Sequence, residues 1–255
     1  MKKSFLALFA LTLTLCLPLQ AKADEMVSLK AGYMSLTPEG KFASTDSNVL
    51  NTKIDIEDDL DIGDSEEIMV EAALRFGSFR LTASYLPLNF SGTSALNRQI
   101  NFGNETFDVN TTVEGEMDVD LYDLGLTWYL LNFDDLPVRF QFGPELSVKV
   151  VDGEASIMDK TTGIREEVSG TVPAPTIGAR ARVGLADFLA VTGRVGYTEY
   201  SDNSLLDADA QLEFSPIPFV GIFGGYRYLD LDVDEDDLII DATFKGPYGG
   251  AFLRF

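Results

Sequence analysis

Histidine is absent from this 255-residue chain, cysteine occurs once, at Cys16, and tryptophan once, at Trp128. Without histidine the side chain that most often moves protons near neutral pH is missing, and only carboxylates remain for acid–base work. Without a second cysteine there is no disulfide and no cysteine-based metal site. Basic residues are scarce as well: 19 Lys and Arg stand against 41 Asp and Glu, a formal charge of −22. Such a chain repels nucleic acid rather than collecting it. Beyond the first 23 residues no apolar run is long enough for a membrane helix. No Pro- or Ser-rich linker, low-complexity tract or fixed-period repeat divides the rest.

What is present begins with a targeting segment. Met1-Lys2-Lys3 is basic, Phe5 to Leu19 is mostly apolar, and Ala21-Lys22-Ala23 offers small residues to a signal peptidase. These features describe a secretory signal peptide over 1–23, with Asp24 opening the mature chain. A lipoprotein signal at Cys16 is disfavoured, because Leu15 precedes it and Ala-Lys-Ala follows downstream. Removal of the signal removes the only thiol. Export without disulfides suits a bacterial envelope protein that closes its structure by strand pairing. Residues 24–255 read as one domain.

The mature chain alternates. Arg139, Gln141, Gly143, Glu145, Ser147 and Lys149 interleave with Phe140, Phe142, Pro144, Leu146, Val148 and Val150, the period of a β-strand. The same pattern repeats along the chain, with Arg concentrated on the polar faces. A soluble sandwich leaves that concentration unexplained; an outer-membrane barrel, apolar towards lipid and polar towards its lumen, explains it. Short turns at 77–78, 132–136, 184–187 and 215–218 alternate with longer connections at 37–66, 91–105, 152–170, 201–204 and 232–237. The expected fold is all-β: an antiparallel transmembrane β-barrel of about ten strands, with eight and twelve as alternatives, short periplasmic turns and longer extracellular loops. Aromatics support it. Tyr33, Tyr85, Tyr122, Tyr197 and Tyr228 fall towards the long loops, while Phe76, Phe79, Phe188, Phe214, Phe219 and Phe255 fall towards the short turns, as two girdles at the membrane interfaces.

The end of the chain, with Ala251, Leu253 and Phe255 at alternate positions, resembles the C-terminal strand of bacterial outer-membrane β-barrel proteins. That resemblance implies the barrel-assembly machinery as a folding partner. More widely, Ile54 to Asp61 (IDIEDDLD), Tyr85 to Gly92 (YLPLNFSG), YDLGL at 122–126, GYRYL at 225–229 and the Gly-rich last strand resemble a family of small proteobacterial outer-membrane β-barrel proteins. No assigned activity comes with it. The outer-membrane barrel enzymes (the phospholipase, lipid A deacylases, palmitoyltransferase and omptins) use a histidine, which this chain lacks, so a non-enzyme without cofactor is expected.

Two groups of residues are candidate sites. Lumen-facing Lys30, Arg75, Arg80, Arg139, Lys149, Arg180, Arg182, Arg194, Arg227 and Arg254 meet Glu71, Asp123, Glu145, Asp207, Asp209 and Glu213. They form either an anion-favouring constriction or, in a barrel this small, a plug of ion pairs. Towards the long loops the polarity of the faces inverts. Leu36, Leu86, Leu88, Phe90, Met117, Val119, Leu229, Leu231 and Phe244 turn inward, as the packed core of a protruding extension or as an apolar ligand pocket. The surplus acidity lies in clusters at 55–67 and 230–237, a solvated polyanionic surface or divalent-cation sites bridging to lipopolysaccharide; no metal site is assigned. The expected role, in the outer membrane of a Gram-negative bacterium among its lipids and lipopolysaccharide, is structural or surface-interacting. The alternatives are passive uptake or binding of small hydrophobic molecules, and a narrow ion-conducting pore.

Overall fold

The computed structural model describes residues 26–44, 53–133, 138–200, 203–217, 219–235 and 238–255. The signal segment, the centre of the 132–136 turn, and Asp236 and Asp237 of the last acidic cluster lie outside the described residues. In chain order the strands are β1 (Val27–Ser44), β2 (Ile54–Asp55), β3 (Ser65–Phe76), β4 (Phe79–Ala95), β5 (Ile100–Phe102), β6 (Glu105–Phe107) and β7 (Thr112–Trp128). They continue with β8 (Leu131–Phe133), β9 (Arg139–Asp159), β10 (Arg165–Ala186), β11 (Leu189–Tyr200), β12 (Asn203–Ile217), β13 (Val220–Glu235) and β14 (Leu238–Arg254). Ten of them, β1, β3, β4, β7 and β9 to β14, form one antiparallel barrel, closed where β9 pairs β10 and where β14 pairs β1. Closure matters because a lipid-facing strand edge would leave backbone groups without partners. At the last seam Val27 and Phe255 exchange both backbone hydrogen bonds, at 3.0 and 2.8 Å. Among the described residues no helix is long and apolar enough to cross a membrane.

The ladder registers explain the sequence alternation. Leu124, Leu146, Ile177, Leu212 and Ile222 point outward and are exposed, whereas Asp123, Glu145, Arg180, Glu213 and Arg227 are buried in the lumen. The Phe76–Phe79 hairpin turns in two residues, with Gly77 at φ 60°, a conformation that glycine adopts without strain. Rings stack along the short-turn rim, Phe79 on Trp128 at 6.0 Å and Phe219 on Phe255 at 6.4 Å. At the other girdle the hydroxyls of Tyr33, Tyr85 and Tyr197 each donate at 2.7 Å to a carboxylate, that of Glu66, Asp120 and Glu199 respectively. Apolar rings with charged partners for their hydroxyls are what an interface selects.

One expectation needs correction. The connections at 91–105 and 152–170 are largely strand, and β1 and β13 run on into those at 37–66 and 232–237, to Ser44 and Glu235: β9 has 21 residues and β10 has 22, and their ladder reaches Met158↔Arg165. A tilted strand needs only about 9–11 residues to cross the bilayer, so roughly half of this hairpin stands outside it. The sequence looked like loop there because polar residues occupy the outward face. Above the lipid that is simply the solvated side of a strand.

Candidate functional site: a charged layer beneath an apolar cavity

The lumen near the membrane is a layer of ion pairs. Asp207 accepts from Lys149 at 2.7 Å, Arg194 at 2.9 Å and Arg227 at 3.0 Å. Asp123 binds Lys149 and, at 2.8 Å, Arg194; Glu145 binds Arg180 at 2.7 Å and Thr127 at 2.5 Å. Asp209 is capped by the Tyr248 hydroxyl. Lys149 and Asp207 are each only 1% exposed, so the layer is dry at its centre. Neutral partners complete it: Ser147 with Thr176, and Gln211 with Glu213 at 2.7 Å. Of the two sequence readings for these residues the geometry is that of a plug. Asp123, Glu145 and Asp207 are each shared by cations on different strands, so the barrel wall is cross-braced through its own interior.

Lower down, the arrangement loosens. Glu213 takes Lys30 at 2.9 Å, Arg182, and Arg254 at 3.9 Å, while Glu71 takes Arg80 at 3.6 Å and Lys30 at 3.8 Å. At the mouth of the lumen Arg75 lies over the Tyr129 ring, 5.5 Å from its centroid, and Arg139 reaches Asp187 in the β10–β11 turn at 3.0 Å.

Above the charged layer the interior is apolar and divides into two sides. Leu36, Leu86, Leu88, Phe90 and Leu229 pack in a solid core, each at most 2% exposed. A roof closes this side: Ile54, Ile56, Leu60 and Ile62 from the β1–β3 connection, with Leu96, Ile100, Phe102 and Phe107 from around the β5–β6 hairpin. The roof is pinned by a capped turn. Asp55 Oδ1 accepts the amides of Glu57 and Asp58 at 3.2 and 3.1 Å, Asp59 accepts the Asp55 amide at 2.9 Å, and Arg98 crosses from β4–β5 to pair with Asp59. Burial alone raises the carboxyl pKa of Asp59, but the Arg98 hydrogen bond, the Asp55 amide and nearby positive charge together hold it below its ordinary value. Two of the acidic residues at 55–67 are therefore structural. Among the described residues no three acidic side chains converge as a metal site.

The other side is hollow. A cavity of about 620 Å³ is lined by Met117, Val119, Leu231, Ile240 and Phe244, together with residues the sequence did not single out: Val151, Ala155, Val168, Ala174 and Leu205. The cavity breaches the wall. The β10–β11 ladder stops at Ile177↔Tyr197, although β10 runs on up to Arg165. Beyond that pair Thr198, Glu199 and Tyr200 hydrogen-bond only towards β12, and both inward and outward residues of the two strands line the void, Val172 to Pro175 on one and Thr198 to Tyr200 on the other. Proline cannot donate to a ladder, so the unbroken β9–β10 register places the ring nitrogens of Pro173 and Pro175 on the edge that β11 has left. An open edge without donors does not recruit another strand. These two prolines were the one sequence signal for the gap.

The closed ladder, outward apolar belt and two girdles define a membrane-spanning β-barrel. No protein-family model matches the chain, and no curated protein matches it significantly. Among solved structures it is similar to Ail, the attachment invasion locus protein of Yersinia pestis, at 12% identity and TM-score 0.37, over 91% of this chain and 99% of that one. It is also similar to Neisserial surface protein A (12%, 0.37, 90% and 97%) and to the Pseudomonas putida toluene transporter TodX (9%, 0.32, 91% of both chains). These likenesses extend to the β-barrel architecture and no further.

Proposed function

We propose that this is a non-enzymatic protein of the Gram-negative outer membrane that binds small apolar molecules in its upper cavity and exchanges them through the gap between β10 and β11, which opens just above the Tyr girdle. The observation that carries this reading is the cavity itself, whose volume falls within the range of small-molecule sites and whose lining is almost wholly apolar. An interior needed only for stability is close-packed, as the roofed side of the same storey is. The plug below closes the axial route for an apolar solute towards the short-turn end, which leaves the gap above the girdle as the route of exchange. The burial of Lys149 and Asp207 at the centre of the layer also argues against the pore alternative.

The test is binding of a fluorescent apolar probe, a naphthylamine, to the barrel in lipid nanodiscs. Ala174→Phe places a ring in the cavity and is expected to weaken binding at least tenfold. Leu253→Phe, a change on the lipid-facing belt, leaves it unaltered. Equal probe binding by wild type and Ala174→Phe sinks the proposal and returns the protein to a structural or surface-interaction role.

A further inference from the structure

The deep wall of the upper cavity offers an entering molecule only apolar side chains, with Val119, Leu205, Leu231 and Phe244 buried there. Every polar residue of the lining, Glu154, Ser169 and Glu199 among them, is exposed or half-buried and so belongs to the opening. No buried side-chain nitrogen or oxygen that lacks a hydrogen-bond partner among the described residues belongs to the lining. Cations are missing too. Of the 19 Lys and Arg, Lys2, Lys3 and Lys22 precede the barrel and all the others lie among the described residues; none lines the cavity. Cations of the upper strands are engaged with carboxylates: Lys160 with Glu114 at 2.7 Å, Arg165 with Glu116 at 3.3 Å and Lys245 with Glu39 at 2.6 Å.

The opening carries charge of the other sign. Glu199 lies beyond the last β10–β11 pair, on the lip of the gap, and Glu154 stands exposed on β9. The backbone offers an anion nothing either, since at Pro173 and Pro175 the open edge of β10 has no N–H. An anion passing the lip therefore meets its own sign, and at depth it sheds water without gaining a counter-charge or a donor. An uncharged molecule suffers neither penalty and gains the burial of its apolar surface. On the binding role proposed above rests a narrower one: we infer that the cavity takes uncharged apolar molecules and rejects their anionic counterparts, with Glu154 and Glu199 as the charge filter at its opening. Long-chain carboxylates are among the rejected unless they enter protonated.

The experiment compares two fluorescent probes with one ring skeleton, N-phenylnaphthylamine and anilinonaphthalene sulfonate, which differ by a sulfonate that stays ionised throughout. Each is titrated onto the barrel in phosphatidylcholine nanodiscs, and the component that Ala174→Phe removes is assigned to the cavity. The wild type is expected to bind the sulfonate at least tenfold more weakly than the neutral probe. Glu154→Lys combined with Glu199→Lys is expected to narrow that ratio at least fivefold. Glu154→Gln combined with Glu199→Gln, which keeps the side-chain shapes, narrows it in the same direction by at least twofold. High salt narrows the wild-type ratio as well, because exposed carboxylates are screened. If the wild type binds the two probes within tenfold of each other, or if neither double variant moves the ratio, the charge filter is overturned while the cavity reading stands. If neither probe shows a component sensitive to Ala174→Phe, the cavity reading fails and the filter falls with it.

Discussion

On the side of the upper interior walled by β1 and β4, Leu36, Leu86, Leu88 and Phe90 pack solidly beneath a roof of Ile and Leu. On the side lined by β7 and β9 to β14, Gly153, Ala155, Gly170 and Ala174 face a void. Both sides are apolar, both stand on the same charged layer, and both lie above the Tyr girdle. They differ in the size of the side chains that face inward and in whether a connection folds back over them. The comparison teaches that polarity inversion marks where a barrel leaves the membrane, whereas side-chain volume decides whether the space it encloses is filled.

The floor common to both sides carries the largest expected effect. Asp207→Ala leaves Lys149, Arg194 and Arg227 facing one another, and breaking a buried pair in this way costs about 3–5 kcal/mol. Urea unfolding of the refolded barrel measures it. A loss as small as that of a surface carboxylate refutes the cross-braced layer. Next comes a matched pair above the floor. Leu88→Ala opens a cavity in the solid side and is expected to cost about 2–5 kcal/mol, whereas Leu231→Ala enlarges a void already there and costs about 1–2 kcal/mol. Equal losses erase the distinction between the two sides.

Much of this architecture was legible in the chain. Alternation at 139–150 and its repeats gave strands and faces, and the aromatic positions gave the membrane boundaries, because both follow from a period of two and from ring chemistry. The carboxylate and cation faces of the plug were legible for the same reason. What periodicity does not carry is contact across the barrel. Leu36, Leu86, Leu88, Phe90 and Leu229 share a parity with Met117, Val119, Leu231 and Phe244, yet only the second set borders the void. The difference arises from the roof strands β5 and β6 and the turn at 56–60, which local pattern does not assign to either side. Pro173 and Pro175 did announce an irregular edge, since two prolines of one parity exclude a partner on that edge. Arg75 and Arg139 each sit near a strand end, where the lumen widens into its mouth.

The smallest effect concerns the roof that makes one side solid. Asp59 has its pKa lowered in the folded protein, so its contribution is fully present above the unfolded value near 4 and is lost as pH falls through the lower folded value. Arg98 is half in water, which screens the pair and limits its worth to under about 1 kcal/mol. Hydrogen exchange of the amides at 57–61, compared at pH 7 and pH 3 after correction for intrinsic rates, is expected to show loss of protection in the acid sample. Other carboxylates also protonate in that range, so the informative comparison is Arg98→Gln. That variant keeps every carboxylate but removes the charge that holds Asp59 ionised, and its protection should already be reduced at pH 7 and fall less on acidification. An unchanged acid response in Arg98→Gln assigns the pH effect to other groups and leaves the roof held by Ile56, Leu60 and their apolar neighbours alone.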